Sequence, residues 1–295
     1  MAKIIDGNRI AQQIHQEIEE QVRALRTQGV QPCLAVILVG EDPASLVYVG
    51  RKQKACEQFG IASRTLRYGA DFSEHELLQL IGELNSDSSV HGILVQLPLP
   101  HSLSSSRVIQ AIAPEKDVDG FHPVNRGKLA AGEECYAPCT PAGIQEMLIR
   151  EKIDIAGKHV VIVGRSGIVG MPLAVMLAQK KPGANATVTL CHTGTRDLSY
   201  HTRQAEILIV ASGRAGTITG EMVQEGCVVI DVGVNRIVDS THPKGYRLVG
   251  DVDFAAVEKK AAAISPVPGG VGPMTIAMLM KNTLQAARKQ SAGVS

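Results

Sequence analysis

The stretch HVVIVGRSGIVGMP, residues 159–172, predicts a strand that runs into a glycine-rich turn and then a helix. HVVIVG is typical of a buried strand, and MPLAVMLAQ is typical of an apolar helix with Pro172 near its first turn. Gly164, Ser166 and Gly170 form the pattern Gly-x-Ser-x-x-x-Gly, which differs from the dinucleotide fingerprint by one substitution and one insertion. Backbone amides at such a helix start can still face a phosphate, and the Ser166 hydroxyl can add a hydrogen bond. The turn therefore favours a dinucleotide site, with a plain packing turn as the alternative.

The end of the next predicted strand indicates which dinucleotide the turn would bind. An NAD enzyme normally places a carboxylate there to bind the ribose 2'-hydroxyl. ATVTLCHTGT has no acidic residue and ends in Cys191, His192 and Thr193, while Arg165 in the neighbouring turn has a guanidinium suited to a phosphate. These residues favour NADP over NAD. The alternatives are a solvated Arg165 and a hydrogen-bonded His192 at a strand end. A serine hydrolase is disfavoured, because Ile168 takes the fifth position of the Gly-x-Ser-x-Gly motif.

Apolar runs alternate with helical patterns along the chain, which predicts an α/β protein with parallel sheets. The predicted strands are CLAVILVG, SRTLRY, HGILVQLPLP, HVVIVG, ATVTLCH, EILIVAS and CVVIDVG. Helical patterns open the chain near residues 7–28 and close it near 274–289. Residues 113–139 lack sustained periodicity and are rich in glycine, proline and charge, which is typical of a connector between domains. We therefore expect two domains, the second with a doubly wound Rossmann-like sheet.

Composition narrows the class of ligand. The 295 residues include 30 basic and 29 acidic side chains, for a formal net charge of +1. This balance predicts a small-molecule ligand rather than nucleic acid or an anionic membrane. The six cysteines form no Cys-x-x-Cys pair and no metal-ligand spacing, so we expect reduced core residues and no metal. The N-terminus lacks a signal-peptide pattern and no apolar run reaches the length of a membrane span, which predicts a cytoplasmic protein.

One lysine is predicted on the inward face of a helix. The segment PASLVYVGRKQKACEQFG begins with proline and ends with glycine, as helices often do. At about 100° per residue, one arc contains Ser45, Tyr48, Val49, Lys52, Ala55, Cys56 and Phe59. Desolvation lowers the pKa of a buried lysine, so a lysine in a ligand pocket can act as an acid or base near neutral pH. The alternative for Lys52 is a structural ion pair or an amine that extends to solvent.

Two further polar residues are candidates to join Lys52 at the carboxyl ends of the strands. Gln96 closes the strand HGILVQ and could hydrogen-bond the lysine amine, although capping the strand end is an equally ordinary role. Asp119, in EKDVDGF, could accept paired hydrogen bonds from a flat amino-heterocycle. Asp117 and Asp119 could equally be turn formers.

These segments together resemble the bifunctional methylenetetrahydrofolate dehydrogenase/cyclohydrolase family. The resemblance runs nearly end to end. It rests on PASLVYVGRKQKACEQFGI, VHGILVQLPLP, PEKDVDGFHPVN, CTPAGI, VVIVGRSGIVGMP, VIDVGVN and SPVPGGVGPMT. The order in which these segments occur is more specific than any one of them.

The resemblance implies a folate-binding catalytic domain over residues 1–137, an NADP-binding Rossmann-like domain over 138–272, and a C-terminal helix over 273–295 that returns to the first domain. The implied reactions oxidise 5,10-methylenetetrahydrofolate with NADP and then hydrolyse the methenyl product to 10-formyltetrahydrofolate. The implied assembly is a homodimer through the cofactor domain.

The resemblance also implies roles for individual residues. The catalytic group comprises Lys52 as general acid/base, Tyr48 along the aminobenzoyl ring, Gln96 tuning Lys52, and Asp119 on the pterin. Ser45, Pro268, Gly269 and Gly270 would line the folate side. Gly164, Arg165, Ser166, Gly170, Thr193 and Val234 would contact NADP.

Two rival functions remain open from the sequence. One is a dehydrogenase without cyclohydrolase activity, against which the presence of Tyr48, Lys52 and Gln96 argues. The other is a non-catalytic NADP-binding sensor, which would be expected to keep the glycine turn and lose the lysine face.

Overall fold

The computed structural model describes residues 1–241 and 245–292. Its helices are α1 (Gly7–Thr27), α2 (Pro43–Phe59), α3 (Glu74–Ser86), α4 (Ser105–Ala111), α5 (Pro123–Ala131), α6 (Cys139–Arg150), α7 (Gly170–Ala178), α8 (Leu198–Thr202), α9 (Phe254–Val257) and α10 (Val271–Ala292). Its strands are β1 (Lys3–Ile4), β2 (Cys33–Val39), β3 (Ala62–Tyr68), β4 (Gly92–Val95), β5 (His159–Val163), β6 (Thr187–Cys191), β7 (Ile207–Val210), β8 (Val228–Asp231), β9 (Asn235–Val238), β10 (Tyr246–Val249) and β11 (Ala263–Ile264).

The chain divides into two compact units. The unit that we call the lysine unit contains Gln13–Cys139 and the C-terminal helix from Ile276 onward, and the unit that we call the glycine-turn unit contains Met1–Gln12 and Thr140–Thr275. The family resemblance instead implies one domain over residues 1–137. The difference arises because β1 pairs in parallel with β11, through Lys3 with Ala263 and Ile4 with Ile264.

The lysine unit is built on a three-stranded parallel sheet in the order β3-β2-β4. The central strand β2 is buried at all seven positions, as expected for an apolar strand covered on both faces. Helix α2 follows β2. Asp42 caps its N-terminus by accepting a hydrogen bond from the Ser45 amide at 2.7 Å, Pro43 occupies the first turn, and Gly60 ends the helix in the left-handed conformation.

The glycine-turn unit is built on a six-stranded parallel sheet in the order β1-β11-β8-β7-β5-β6, with a separate antiparallel hairpin of β9 and β10. Strand β5 lies between β6 and β7, so the direction of winding reverses at β5. Ligands of open α/β sheets bind at such a reversal, beyond the carboxyl ends of the strands. The glycine-rich turn after β5 occupies this position, which fits the predicted doubly wound sheet.

The predicted connector contains more regular structure than its composition indicates. Nine of its residues form α5, which His122 caps by accepting a hydrogen bond from the Val124 amide at 3.1 Å, and which Gly132 ends in the left-handed conformation. The helix is too short for its period to stand out among the prolines and charges of the segment.

The structure also tests the predictions about the cysteines and about membrane-spanning segments. Cys33, Cys56, Cys139, Cys191 and Cys227 are buried free thiols, in agreement with the prediction of reduced core residues, whereas Cys135 is only partly buried. Within the described ranges, no helix is long and apolar enough to cross a membrane.

Candidate active site and cofactor site

Lys52 lies on the buried face of α2, as the helical pattern predicts. Only 9% of its surface is exposed, and Val49, Ala55 and Cys56 beside it are buried apolar residues. The inward-face prediction was wrong for Tyr48, which is 37% exposed, and its neighbours Leu46 and Val47 are exposed as well. An exposed ring one turn before a buried lysine can cover a flat ligand.

The Lys52 amine has one defined hydrogen-bond partner. Its Nζ donates to Oε1 of Gln96 at 3.0 Å. The Gln96 side-chain amide donates to the Leu97 carbonyl oxygen at 2.7 Å, and the Gln96 backbone amide donates to Ile37 in the central strand at 2.8 Å. These bonds hold Gln96 with its oxygen toward the lysine. Because that oxygen can only accept, the lone pair of a neutral lysine amine must point away from it, where it can take up a proton.

In the segment KDVD, residues 116–119, Lys116 and Asp117 have structural roles. Lys116 is buried, and its Nζ donates to the carbonyl oxygens of Leu84 at 2.9 Å and Asp87 at 2.7 Å, which closes the C-terminal end of α3. Asp117 accepts hydrogen bonds from the amides of Phe121 and His122 at 3.2 and 2.8 Å. Burial raises the pKa of the Asp117 carboxyl to about 6, although these hydrogen bonds act in the opposite direction.

Asp119 differs from Asp117 because its carboxylate does not serve the turn. The turn is shaped by Gly120, which has a φ of +73° and lies against the backbone of Tyr136 and Ala137, so that a Cβ there would lie 2.6 Å from the Tyr136 oxygen. Asn282 of α10 fixes the same turn by donating to the carbonyl oxygens of Val118 at 2.9 Å and Ala137 at 3.0 Å.

The electrostatics link Asp119 to Lys52. Burial raises the pKa of the Asp119 carboxyl, while the positive charge of Lys52 and a hydrogen bond with Cys139 act to lower it. The structure therefore brings Lys52, Gln96 and Asp119 together in the lysine unit. Ser45 lies two helical turns before Lys52 on the same buried face of α2 and is 2% exposed.

The glycine turn of the other unit has two positions that only glycine can occupy. Gly164 has a φ of +126°, and a Cβ there would lie 2.1 Å from the Ala211 carbonyl oxygen. A Cβ on Gly170 would lie 1.8 Å from the Gly164 oxygen. The backbone thus makes the close approaches of a phosphate-binding turn despite its unusual spacing. Ser166 Oγ accepts a hydrogen bond from the Val169 amide at 3.1 Å, which leaves its hydroxyl hydrogen for another acceptor.

Arg165 and His192 face each other at the edge of this turn. Arg165 Nη1 lies 3.5 Å from His192 Nε2, and His192 Nδ1 accepts a hydrogen bond from the Gly194 amide at 3.0 Å. His192 is therefore a hydrogen-bonded residue at a strand end, the alternative described above. With Nδ1 as acceptor, Nε2 carries the hydrogen. The guanidinium and the imidazole therefore lie side by side at the edge of the turn, an arrangement suited to an anion such as a phosphate.

The remaining predicted residues lie at loops of the glycine-turn unit. Thr193 and Val234 are exposed at the ends of β6 and β8. Residues 268–270 form the loop between β11 and α10. This loop is held against the start of α1, where the Asn8 amide donates to the Gly269 oxygen at 3.2 Å. The structure groups this loop with the glycine-turn unit and the lysine constellation with the other.

A pair of buried aspartates, Asp231 and Asp251, was not predicted from the sequence. Asp231 is 3% exposed and Asp251 is fully buried. The sequence signal for this pair lies in the segments VIDVG and GDVD. Asp231 lies two residues before Gly233, and Asp251 directly follows Gly250. Burial raises the pKa of the Asp231 carboxyl to about 6, with hydrogen bonds from the Asp251 and Val252 amides acting in the opposite direction.

Two parts of the chain match models of the same protein family. Residues 5–119 match the tetrahydrofolate dehydrogenase/cyclohydrolase catalytic domain, and residues 138–291 match the NAD(P)-binding domain of the same family. The bifunctional protein FolD 1 of Myxococcus xanthus is 55% identical over 293 residues, covering 99% of this chain and 100% of that protein.

Solved structures show the same similarity. The bifunctional FolD enzyme of Campylobacter jejuni superposes with a TM-score of 0.93 at 48% identity and covers 98% of this chain and 99% of its own. The Trypanosoma brucei dehydrogenase-cyclohydrolase, solved with NADP cofactor and an inhibitor, gives a TM-score of 0.92 at 38% identity, with 98% of each chain covered. With both domains matched over nearly the whole length, this chain belongs to the tetrahydrofolate dehydrogenase/cyclohydrolase family.

Proposed function

We propose that this protein oxidises 5,10-methylenetetrahydrofolate to 5,10-methenyltetrahydrofolate with NADP and then hydrolyses the product to 10-formyltetrahydrofolate. The observation that carries the proposal is the buried Lys52 amine, held by Gln96 at 3.0 Å beside Asp119. A non-catalytic cofactor-binding protein has no need for a desolvated amine in this arrangement. The matched catalytic domain includes all three residues.

The first reaction depends mainly on binding and orientation. Bound NADP supplies a hydride acceptor. Within the lysine unit, the Asp119 carboxylate would accept hydrogen bonds from the amino-heterocycle of the folate, the Tyr48 ring would cover its aminobenzoyl group, and Ser45 would support the same pocket. Pro268, Gly269 and Gly270 would line the folate from the loop before α10.

The second reaction needs a base. Water adds to the cationic methenyl carbon while the neutral Lys52 amine takes up one of its protons. The bond from that carbon to N5 then breaks, its electron pair goes to N5, and N5 receives a proton. The second water proton is released, and the formyl group remains on N10. Gln96 keeps the amine oriented throughout, because its oxygen accepts a Lys52 N–H and does not compete for the lone pair.

The glycine turn would hold the cofactor. Gly164 and Gly170 let the turn close on the protein's own backbone, since a Cβ at either position would collide with a backbone oxygen, and the amides at the start of α7 would then face the phosphates. Arg165 and Thr193 would bind the 2'-phosphate, with the Nε2 hydrogen of His192 as an additional donor. Ser166 would donate its hydroxyl hydrogen and Val234 would contact the nucleotide from the loop after β8.

The family resemblance supports three further parts of the proposal. Residues 1–137 and 138–272 would divide folate and NADP binding between them, with residues 273–295 returning to the folate side. The enzyme would act in the cytoplasm, and it would be a homodimer formed through the cofactor domain. Sedimentation equilibrium of the purified protein tests the dimer, and a single species of monomer mass would contradict it.

A two-substrate assay tests the proposed function. Purified protein is given 5,10-methylenetetrahydrofolate with NADP or with NAD, and both reduced cofactor and the methenyl intermediate are followed by absorbance. In a second arm, it is given the methenyl compound without cofactor. We expect NADP-dependent oxidation in the first arm and ring opening in the second. Oxidation without enzyme-dependent ring opening would support the monofunctional dehydrogenase instead, and inactivity in both arms would contradict the proposal.

A further inference from the structure

Asp251 lies at the centre of a polar network behind the loops that follow β7 and β8. Its carboxylate is fully buried. Oδ2 accepts hydrogen bonds from two consecutive backbone amides, Ser212 at 2.7 Å and Gly213 at 2.8 Å. Oδ1 accepts from the side-chain amide of Asn235 at 2.8 Å. One carboxylate therefore joins the loop after β7 to the segment after β8.

The Asp231 carboxylate fixes the backbone on either side of this network. Its Oδ1 accepts from the Gly233 and Asp251 amides at 3.0 and 2.9 Å, and its Oδ2 accepts from the Val252 amide at 3.0 Å. The packing leaves no room for side chains at two neighbouring glycines. A Cβ on Gly233 would lie 2.1 Å from Asp251 Oδ1, and a Cβ on Gly250 would lie 1.7 Å from Asp231 Oδ2. The network is thus closely packed around both acids.

The loop after β7 borders the glycine turn. The residue before Ser212 is Ala211, whose carbonyl oxygen is the atom that excludes a side chain from Gly164. The segment between Gly233 and Asn235 contains Val234, one of the exposed residues assigned to the cofactor. A shift of the β7 loop would change the space next to the turn, and a shift of the β8 segment would move Val234.

We infer that Asp251 is a positioning residue that holds the β7 and β8 loops in place and so preforms the surface that binds the nicotinamide nucleotide. The inference rests on the proposed function. Asp251 itself is fully buried, and its carboxylate accepts hydrogen bonds from the two loops. Its effect is expected on NADP binding and on dehydrogenase activity, whereas ring opening depends on residues of the lysine unit.

Asn at position 251 has nearly the same shape but cannot satisfy all three donors. If its oxygen faces the Ser212 and Gly213 amides, its NH₂ group faces the Asn235 NH₂ group. Asn235 cannot simply rotate by half a turn, because its Nδ2 also donates to the Gly250 carbonyl oxygen at 3.2 Å. A donor left opposite a donor in a buried site should release one of the two loops.

The test compares Asp251→Asn with Asp253→Asn. Asp253 is the matched control, since it lies two residues away and caps the short helix α9 through the Ala256 amide at 3.2 Å, a role that asparagine also performs. For each protein, KM for NADP, dehydrogenase kcat, and the rate of methenyl ring opening without NADP are measured, together with the melting temperature.

We expect Asp251→Asn to raise KM for NADP by about tenfold or more, from the loss of one buried charge-assisted bond, with ring opening unchanged. The control should change neither. A parallel loss of both activities and of thermal stability would overturn the inference in favour of a purely structural role, and an unchanged KM would overturn it as well. If Asp251→Asn does not fold, Asn235→Ala removes the hydrogen bonds from the β8 segment to Asp251 and to the Gly250 carbonyl oxygen but keeps both loop amides on Asp251, and a smaller rise in KM for NADP with intact ring opening is expected. Wild-type activity tests the proposed function separately.

Discussion

At the scale of single residues, KDVD shows what sequence could and could not establish. The sequence left Asp117 and Asp119 as equal candidates for a turn and for a binding group. The structure separates them by their partners, because Asp117 accepts backbone amides of its own turn and Asp119 responds to the charge of Lys52. This distinction depends on the direction in which each carboxylate points, and residue spacing does not contain that information in an irregular segment.

Arg165 carries the prediction of cofactor choice. Replacing it with alanine should raise KM for NADP by about 10- to 100-fold, since a hydrogen bond between charged groups contributes about 1.5–3 kcal/mol. KM for NAD should change little, because NAD lacks the 2'-phosphate. The measurement is dehydrogenase activity over a range of each cofactor.

The control for this experiment is Arg203→Ala. Arg203 is exposed and follows α8, before the chain enters β7 at its amino end. It should leave KM for both cofactors unchanged. An equal loss of NADP and NAD binding in Arg165→Ala would reject recognition of the 2'-phosphate.

At the scale of elements, long periodic segments were predictable and short or irregular ones were not. The apolar strands β2 and β5 and the capped helix α2 follow from local pattern and from proline and glycine at the helix ends. The nine-residue α5 and the hairpin of β9 and β10 were missed, because their patterns are short and partly polar. The sequence predicted that the strands pair in parallel, but it did not predict which strands are neighbours in each sheet.

We expect the buried His91 side chain to make the stability of the fold around β2 and β4 depend on pH. Its Nδ1 accepts a hydrogen bond from the Cys33 amide at 3.2 Å, at the start of β2. Burial, and then the charge of Lys116, lower the pKa of the His91 imidazole below 6.5, with Asp87 acting in the opposite direction. The unfolded chain therefore binds a proton that the folded chain excludes, so this contribution to stability is present above pH 6.5 and is lost as the pH falls.

His91→Asn should weaken this pH dependence. Its side-chain oxygen can still accept the Cys33 amide hydrogen, but it does not titrate. The melting temperature should therefore fall less than that of the wild type between about pH 7.5 and about pH 5.5. His75→Asn, at an exposed position of α3, should behave as the wild type does. Identical pH dependence in all three proteins would show that His91 is not the titrating group.

At the scale of the whole molecule, the family was predictable from the order of several motifs, and the membership of the two units was only partly so. The C-terminal helix returns to the lysine unit from Ile276, where Asn282 holds the turn before Asp119. The first residues join the other unit through the pairing of β1 with β11. That pairing joins segments about 260 residues apart, a separation over which local patterns carry no information.

The central claim is that the Lys52 amine performs the proton transfer of ring opening, and the most direct test is the hydrolysis rate of Lys52→Met with the methenyl substrate and no cofactor. Methionine keeps the unbranched stem in the buried site and removes only the amine. The matched control is Lys54→Met, at an exposed position of the same helix. We predict that Lys52→Met lowers the rate by about 100-fold or more, while the melting temperature and NADP binding stay near wild type and Lys54→Met remains fully active. A folded Lys52→Met enzyme that opens the ring at the wild-type rate would contradict the account.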